Sequence, residues 1–251
     1  MSVADEILRL QQAKSDLATS IAAKGVTVPA ATTIDGYAAL VDQIQQGGGT
    51  LPYDAEVEWI KSDGNAFIDT GIYGGSKVRI ECSIYTESGS QGVVFGEYQK
   101  LSAADTTTRC CVQITSSNNT ATYSFFQNTN TTALSITKNI NKWLNIIADW
   151  KVGSFQVGET MSTGTVVSYQ DSTNIYLFAR RRNVYSGGAT FDNVCTNTRL
   201  KLPRIYVDNI LVRDYIAVRV GQVGYMYDRV SGELFGNANS TGSFTLGPDV
   251  T

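Results

Sequence analysis

The sequence contains no histidine. This absence excludes histidine as a general base, Ser-His-Asp triads and histidine-ligated metal sites, and it leaves carboxylate, thiol and lysine chemistry open. The four cysteines, Cys82, Cys110, Cys111 and Cys195, include no C-x-x-C pair, so neither a zinc knuckle nor a redox dithiol is indicated. Cys110 and Cys111 lie in a strand-like run and would point to opposite faces. We therefore expect small core side chains at all four positions, and the sequence predicts no metal site and no cofactor.

Charge and long apolar runs are also scarce. Charged residues make up 17% of the chain and the formal net charge is −3. No long run is rich in Lys and Arg, so nucleic acid is not predicted as a partner. No apolar stretch approaches the ~20 residues that a membrane span needs, so membrane insertion is not predicted either. The opening residues, MSVADEILRL, lack the basic segment and apolar core of a secretory signal.

The composition changes abruptly near residue 50. Before this point the periodicity is helical, and after it Thr, Ser, Asn, Gly and Tyr dominate. The segment QQGGGTLP at the boundary, residues 45–52, is typical of a flexible joint. The sequence thus predicts a helical module over 1–46, a Gly-rich linker over 47–52 and a β domain over 53–251.

Two amphipathic helices are predicted before the linker. In residues 4–24, five positions are spaced three, four, three and four apart, which is the spacing of a heptad seam. They are Ile7, Leu10, Lys14, Leu17 and Ile21, with Lys14 at the centre. A second helix is expected over about 33–46, with Ile34, Tyr37, Leu40, Val41 and Ile44 on one face. Two short helices do not make a self-sufficient core, so their stripes need either another copy of the chain or a larger assembly. The alternative is an αα-hairpin packed on its own β domain. The residues assigned to oligomerisation or anchoring are Ile7, Leu10, Leu17, Ile21, Tyr37, Leu40 and Ile44.

After the linker the apolar pattern has period two. In KVRIECSIYT, residues 77–86, apolar and polar side chains alternate as in a half-buried antiparallel strand. Similar runs recur along the chain, and Asp208-Asn209 is a predicted hairpin turn. Many short strands without interleaved helices predict an all-β sandwich or barrel, and an antiparallel jelly roll of two packed sheets fits best.

The chain ends on a segment that predicts further hairpins. GYMYDRVSGELFGNANSTGSFTLGP, residues 224–248, alternates apolar and polar residues and breaks at Ser231-Gly232 and again at Ser240-Thr241-Gly242. Two tight hairpins are therefore expected here, closing an edge of the sandwich.

Motifs at both ends of the β domain carry a family resemblance. EVEWIKSDGNAFIDTGI, residues 56–72, resembles the opening strand of concanavalin A-like, laminin-G-like jelly rolls found in phage and gut-bacterial surface proteins. The closing motifs of that family are similar to Leu211-Val212-Arg213-Asp214 and to a later series of Gly, aromatic, Asp and Asn residues in 224–248. The resemblance covers about residues 53–251 and implies the fold more directly than the function.

The N-terminal segment also has a resemblance. Residues 4–44 are similar to a short helical module of phage fibre, tail and head appendages. Together the two resemblances imply a protein exposed on a phage particle, with other virion proteins as partners and a homotrimer by analogy with phage fibres. The displayed domain would bind a glycan or a protein of the host surface.

Two segments expected to be long loops supply the candidate binding residues. ARRRNVYSGGATFDN, residues 179–193, combines arginines, glycines and an aromatic ring, and FGEYQKLSAADTTTR, residues 95–109, offers a second ring. Such groups suit glycan binding, because rings stack on sugars and guanidinium groups donate hydrogen bonds. The alternative is a solvated loop without a ligand. The assigned glycan-binding residues are Tyr98, Arg181, Arg182 and Tyr185.

Two other classes of function were weighed against a binding protein. A glycoside hydrolase needs two carboxylates flanking the scissile bond. The Glu-x-Asp-x-Glu pattern of bacterial glucanases of this fold is absent, and the nearest pair, Glu56 and Glu58, falls in the opening strand. We therefore do not expect an enzyme or any catalytic residue. A purely structural capsid or tail decoration protein without a ligand remains compatible with the sequence.

Overall fold

The computed structural model divides the chain into two compact units, Met1–Leu51 and Pro52–Thr251. The structure describes residues 3–22, 26–42, 51–100, 108–127, 134–166, 168–184, 188–192 and 194–250. The boundary between the units falls within the predicted linker, whose residues 47–50 lie outside the described ranges.

The first unit contains two helices, α1 (Val3–Ala22) and α2 (Gly36–Asp42). The second helix begins three residues later than predicted, because Thr33 and Ile34 form turns whose carbonyl groups accept from the main-chain N–H groups of Gly36 and Tyr37. The unit buries a small cluster of its own, formed by Ile21, Val26, Tyr37 and Leu40.

The second unit is mainly β and largely antiparallel. Its strands within the described residues are, in chain order, β1 (Ala55–Glu56), β2 (Ile60–Ser62), β3 (Ile68–Gly75), β4 (Val78–Lys100), β5 (Thr108–Ser117), β6 (Thr120–Gln127), β7 (Leu134–Asn139), β8 (Trp143–Asp149), β9 (Ser154–Val157), β10 (Thr160–Thr163), β11 (Gln170–Leu177), β12 (Arg180–Val184), β13 (Gly188–Asp192), β14 (Thr196–Val207), β15 (Ile210–Val220), β16 (Val223–Asp228), β17 (Glu233–Phe235) and β18 (Phe244–Leu246).

Strand β4 is long enough to take part in two layers. Its first half lies between β8 and β14, and β9 and β10 continue this layer beyond β8. Its second half pairs with β5, followed by β6 and β7, and on its other side with β11 and β12. The pairing of β12 with β4 is parallel, whereas the other pairings between named strands are antiparallel. The period-two prediction for residues 77–86 is confirmed, since Val78, Ile80, Cys82 and Ile84 are all buried.

Aromatic side chains join the two layers in the core. The indole of Trp150, which follows β8, lies 4.8 Å from the ring of Phe125 in β6 and 6.4 Å from Phe95 in β4. The ring of Phe155 in β9 stacks on Phe125 at 5.4 Å. Each such buried ring contributes about 1.5–3 kcal/mol through removal of apolar surface from water. The layers therefore pack face to face through these rings.

The predicted turns at the end of the chain are confirmed at one position and wrong at another. Strands β16 and β17 form a hairpin, and Gly232 in its turn has a φ of 76°. Strand β18, by contrast, pairs with β2 instead of with β17. The reason is that Asn237 accepts the main-chain N–H of Phe67 at 3.1 Å, which holds the closing segment against the opening one. The two motifs that carry the family resemblance thus meet in space.

The two predicted binding loops are largely strands. Residues 95–100 belong to β4 and 108–109 to β5, while 180–184 and 188–192 form the paired strands β12 and β13. Strand pairing, including the distant pairing of β12 with β4, overrides the turn-rich composition of these segments.

Candidate functional site

Three neighbouring strands bring an aromatic residue and arginines together. Tyr98 in β4 lies opposite Arg109 in β5 on one side and beside Arg182 in β12 on the other. Arg180 is two residues before Arg182, so the two side chains project from the same face of β12. Tyr98, Arg109, Arg180 and Arg182 form what we call the arginine surface.

The guanidinium groups of the arginine surface gather over a single ring. The Cζ atoms of Arg109, Arg180 and Arg182 lie 5.0, 5.2 and 5.4 Å from the ring centroid of Tyr98. These distances are within the range of cation–π attraction. Arg109 also lies 5.6 Å from the ring centroid of Phe126. The ring of Tyr98 therefore holds the arginines in place, and the role expected for it, an open platform for a sugar, does not fit this geometry.

Arg181 belongs to the opposite face of β12, contrary to its predicted grouping with Arg182 and Tyr98. It lies in register with the fully buried Glu97 and hydrogen-bonds to Tyr176. The hydroxyl of Tyr176 donates to Asp69 Oδ2 at 2.8 Å. Burial, followed by the hydrogen bond to Asp69, raises the pKa of Tyr176 to about 12. Period-two alternation along the Arg-Arg-Arg run explains the separation. Tyr185, the fourth predicted glycan-binding residue, lies outside the described residues.

Aspartates near the family-like motifs have structural roles. Asp69 accepts the main-chain N–H of Gly71 at 2.9 Å and so closes a turn. Asp228 is fully buried and accepts main-chain N–H groups from Asp214, Val230 and Ser231. Through these bonds the two side chains act as turn caps.

A groove of about 460 Å³ lies beside β3. Its walls include Tyr73, which is 57% exposed, and Tyr169, whose hydroxyl donates to the main-chain oxygen of Arg109 at 2.6 Å. Gly74 and Gly75 form part of the lining. The volume lies in the usual range for small-ligand sites, and exposed tyrosine rings suit stacking on sugars.

The exposed side of α1 carries three of the seven predicted assembly residues. Ile7, Leu10 and Leu17 are 50%, 45% and 43% exposed, although they are large and apolar. Ile21, Tyr37 and Leu40 differ from their predicted role, because their apolar surface is buried inside the unit. Ile44 lies outside the described residues.

All four cysteines are free and buried. Cys110 faces the hydrophobic core whereas Cys111 lies outside that cluster, as expected for neighbours in a strand. Burial raises the pKa of the Cys195 thiol to about 12. Because all four thiols are buried, reagents do not reach them, so we assign them no chemistry.

No group of three or more cysteine and carboxylate side chains in the described ranges is placed to hold a metal ion. Neither described helix has the length and apolar character required to cross a membrane. No protein-family model matches the chain, and no curated protein matches it in sequence.

Sequence reasoning missed Arg109, Arg180 and the groove. If residues Ala179–Asn183 are taken as a strand, alternation places Arg180 and Arg182 on one face. The sequence therefore contained a signal for this pair. No local signal links Arg109 to Tyr98, because their contact depends on the pairing of β4 with β5. The groove was indicated by the run Gly71-Ile72-Tyr73-Gly74-Gly75, in which glycines flank an aromatic residue.

Proposed function

We propose that this protein is an appendage of a phage particle, a head or tail fibre that displays a lectin-like domain for binding host-surface glycans. The sandwich is a concanavalin A-like jelly roll in this proposal, and the N-terminal helical module joins copies of the chain into a homotrimer and attaches them to other virion proteins. The resemblance of the motifs in 56–72, 224–248 and 4–44 supports the assignment to a virion.

The observation that carries the glycan-binding proposal is the groove beside β3. It is concave, its volume suits one or two sugar rings, and it exposes the ring of Tyr73. Its polar groups include Ser76, whose hydroxyl is held by a hydrogen bond to the main-chain oxygen of Tyr169 at 3.0 Å. An aromatic wall with fixed polar groups at its rim is an arrangement that suits carbohydrate better than a charged small molecule.

The exposed seam of α1 supports the assembly proposal. Ile7, Leu10 and Leu17 follow the heptad spacing, and Val3 extends the same stripe toward the N-terminus at 79% exposure. A stripe of this kind is stabilised when helices of other copies cover it. The heptad pattern does not set the number of chains, so the trimer follows from the analogy with phage fibres.

Glycan binding is tested with Tyr73→Ala and Tyr73→Phe on an array of bacterial surface polysaccharides. We expect Tyr73→Phe to retain binding because it keeps the ring, and Tyr73→Ala to bind roughly tenfold more weakly because it loses the stacking contact. Equal binding by both variants would remove the groove from the proposal. A wild-type protein that binds no surface polysaccharide would favour a purely structural decoration protein.

Assembly is tested by the mass of the full chain in solution. We expect a trimer for the wild-type chain and a monomer for the double substitution Leu10→Asp and Leu17→Asp, which places charges on the seam. Leu8→Asp is the matched control, since Leu8 is 65% exposed but lies off the seam. A monomeric wild-type chain would contradict self-association and leave attachment to another virion protein as the role of α1.

A further inference from the structure

Arginines stack on aromatic rings at three other places, and a carboxylate accompanies each of them. The guanidinium of Arg199 lies 4.5 Å from the ring centroid of Trp59 and forms an ion pair with Glu87 at 2.8 Å. The other two pairs follow the same rule: Arg79 over Tyr206 with Glu81, and Arg213 over Phe235 with Asp228. Among the residues that the structure describes, these arginines form ion pairs with carboxylates: Arg9, Arg79, Arg199, Arg204, Arg213, Arg219 and Arg229.

Two members of the arginine surface, Arg109 and Arg182, depart from this rule. Within the described ranges, neither Arg109 nor Arg182 forms an ion pair with a carboxylate. The Nε atom of Arg109 is buried and has no hydrogen-bond partner there. Two guanidinium groups without a carboxylate partner in the described ranges thus lie beside one ring, on a protein whose formal net charge is −3.

We propose that the arginine surface binds the acid groups of an acidic polysaccharide, with a carboxylate or sulfate received by Arg109 and Arg182. The inference rests on the proposed function, in which a host-surface glycan is the partner, and it adds the chemical class of that glycan. Guanidinium groups bind such oxyanions through two parallel hydrogen bonds. Tyr98 is a positioning residue, because stacking on its ring holds the guanidinium groups ready and lowers the entropy lost on binding.

A nucleic acid fits the same surface less well. Proteins that bind single strands combine a charged groove with open aromatic rings on which bases stack. Here the guanidinium groups already lie over the ring of Tyr98. The charge is a compact cluster and not the long basic stripe that follows a phosphate backbone. The observations therefore favour isolated acid groups on a sugar chain.

The experiment measures binding of the full chain to five probes: acidic capsular polysaccharide fragments, the same fragments after chemical reduction of their carboxyl groups, sulfated heparin fragments, a neutral glucan and single-stranded DNA. We expect the acidic fragments, the heparin fragments or both to bind. If carboxylate is the group recognised, the reduced fragments should bind at least about tenfold more weakly than the acidic ones. Comparison of the first and third probes distinguishes carboxylate from sulfate. Binding should weaken as salt is added, since screening reduces the attraction between exposed charges.

Variants assign the binding to the arginine surface. We expect Arg109→Gln and Arg182→Gln each to weaken binding by about tenfold or more, through loss of hydrogen bonds to a charged group. Arg199→Gln is the matched control, because it removes a ring-stacked guanidinium that is already paired, and it should leave binding unchanged. Thermal melting of Arg109→Gln checks that it folds, and Arg182 is exposed, so its substitution tests the proposal independently of folding.

The outcomes separate this inference from the proposed function. Two outcomes would overturn the inference and leave the glycan-binding proposal standing. In the first, native and reduced fragments bind equally and heparin does not bind; in the second, the neutral glucan alone binds. Preferential binding of single-stranded DNA would also overturn it. Absence of binding to every polysaccharide would overturn both. Retention of full binding by Arg109→Gln and Arg182→Gln would place the acid group elsewhere on the protein.

Discussion

Replacement of Asp228 by asparagine removes one negative charge from the interior without changing the size of the side chain. Oδ1 of Asp228 accepts the main-chain N–H groups of Asp214 at 2.8 Å and of Val230 at 3.1 Å. Oδ2 accepts from the main-chain N–H and the hydroxyl of Ser231 at 3.2 and 2.8 Å. The guanidinium of Arg213 lies 3.5 Å from Oδ2. Both oxygens are therefore surrounded by donors.

The amide NH₂ group of asparagine has to replace one of these two oxygens. In either orientation it faces at least one main-chain N–H that then loses its acceptor, and Arg213 loses its carboxylate. Each hydrogen bond to a charged group contributes about 1.5–3 kcal/mol, and a buried donor left without an acceptor costs about 1–3 kcal/mol. We expect Asp228→Asn to lower the free energy of unfolding by about 3–5 kcal/mol, a large share of the ~5–15 kcal/mol typical of a whole domain.

The assay is urea unfolding followed by tryptophan fluorescence, because Trp59, Trp143 and Trp150 all lie in the second unit. Asp249→Asn is the control, since it makes the same chemical change at an exposed ion pair with Arg219 and should have a much smaller effect. A loss below about 1 kcal/mol for Asp228→Asn, or equal losses for the two variants, would refute the argument that buried donors make the difference.

Three further predictions concern the same unit. Native protein should react slowly with a thiol reagent and unfolded protein at all four cysteines, because burial raises the pKa of Cys195 to about 12 and shields the other thiols as well. The pKa of Tyr176 is raised from 10.0 to about 12, so its contribution to stability is present below pH 10 and is lost as the pH rises through about 12. In melting curves at increasing pH, the melting temperature of Tyr176→Phe should therefore fall less than that of the wild-type protein. Gly242→Ala should melt at a lower temperature than Gly221→Ala, since both residues have positive φ but only at Gly242 would the new Cβ come within 2.7 Å of a facing main-chain nitrogen. Equal melting temperatures would show that the backbone moves to relieve the contact.

Local pattern was a good guide wherever the chain alternates strictly or turns tightly. The hairpin at Asp208-Asn209 is confirmed, with φ values of 51° and 69° at the two residues. Strand β16 occupies 223–228, at the start of the alternating segment 224–248 for which hairpins were predicted. Both features depend on neighbours in sequence, because side-chain alternation and left-handed turn residues are properties of short segments.

Polar segments with many turn-forming residues misled the prediction. The sequence predicts loops for the arginine run and for the segment around Tyr98, but both are strands, and they pair with each other although they lie more than eighty residues apart. The last turn failed for a related reason, since β18 pairs with β2 from the opposite end of the unit. Composition reports the preference of a segment alone, whereas pairing with distant strands decides its final structure.

By itself the sequence determined that this chain has an N-terminal helical part and a β part, with no histidine chemistry, and where the tight turns between alternating strands lie. Only the tertiary structure decided which polar residues share a surface. Arg109 and Arg182 reach the ring of Tyr98 because β5 and β12 pair with opposite edges of β4 in a particular register. A shift of that register by one residue would turn these side chains to the other face. The arginine surface is thus a consequence of strand pairing and its register, including the distant pairing of β12 with β4.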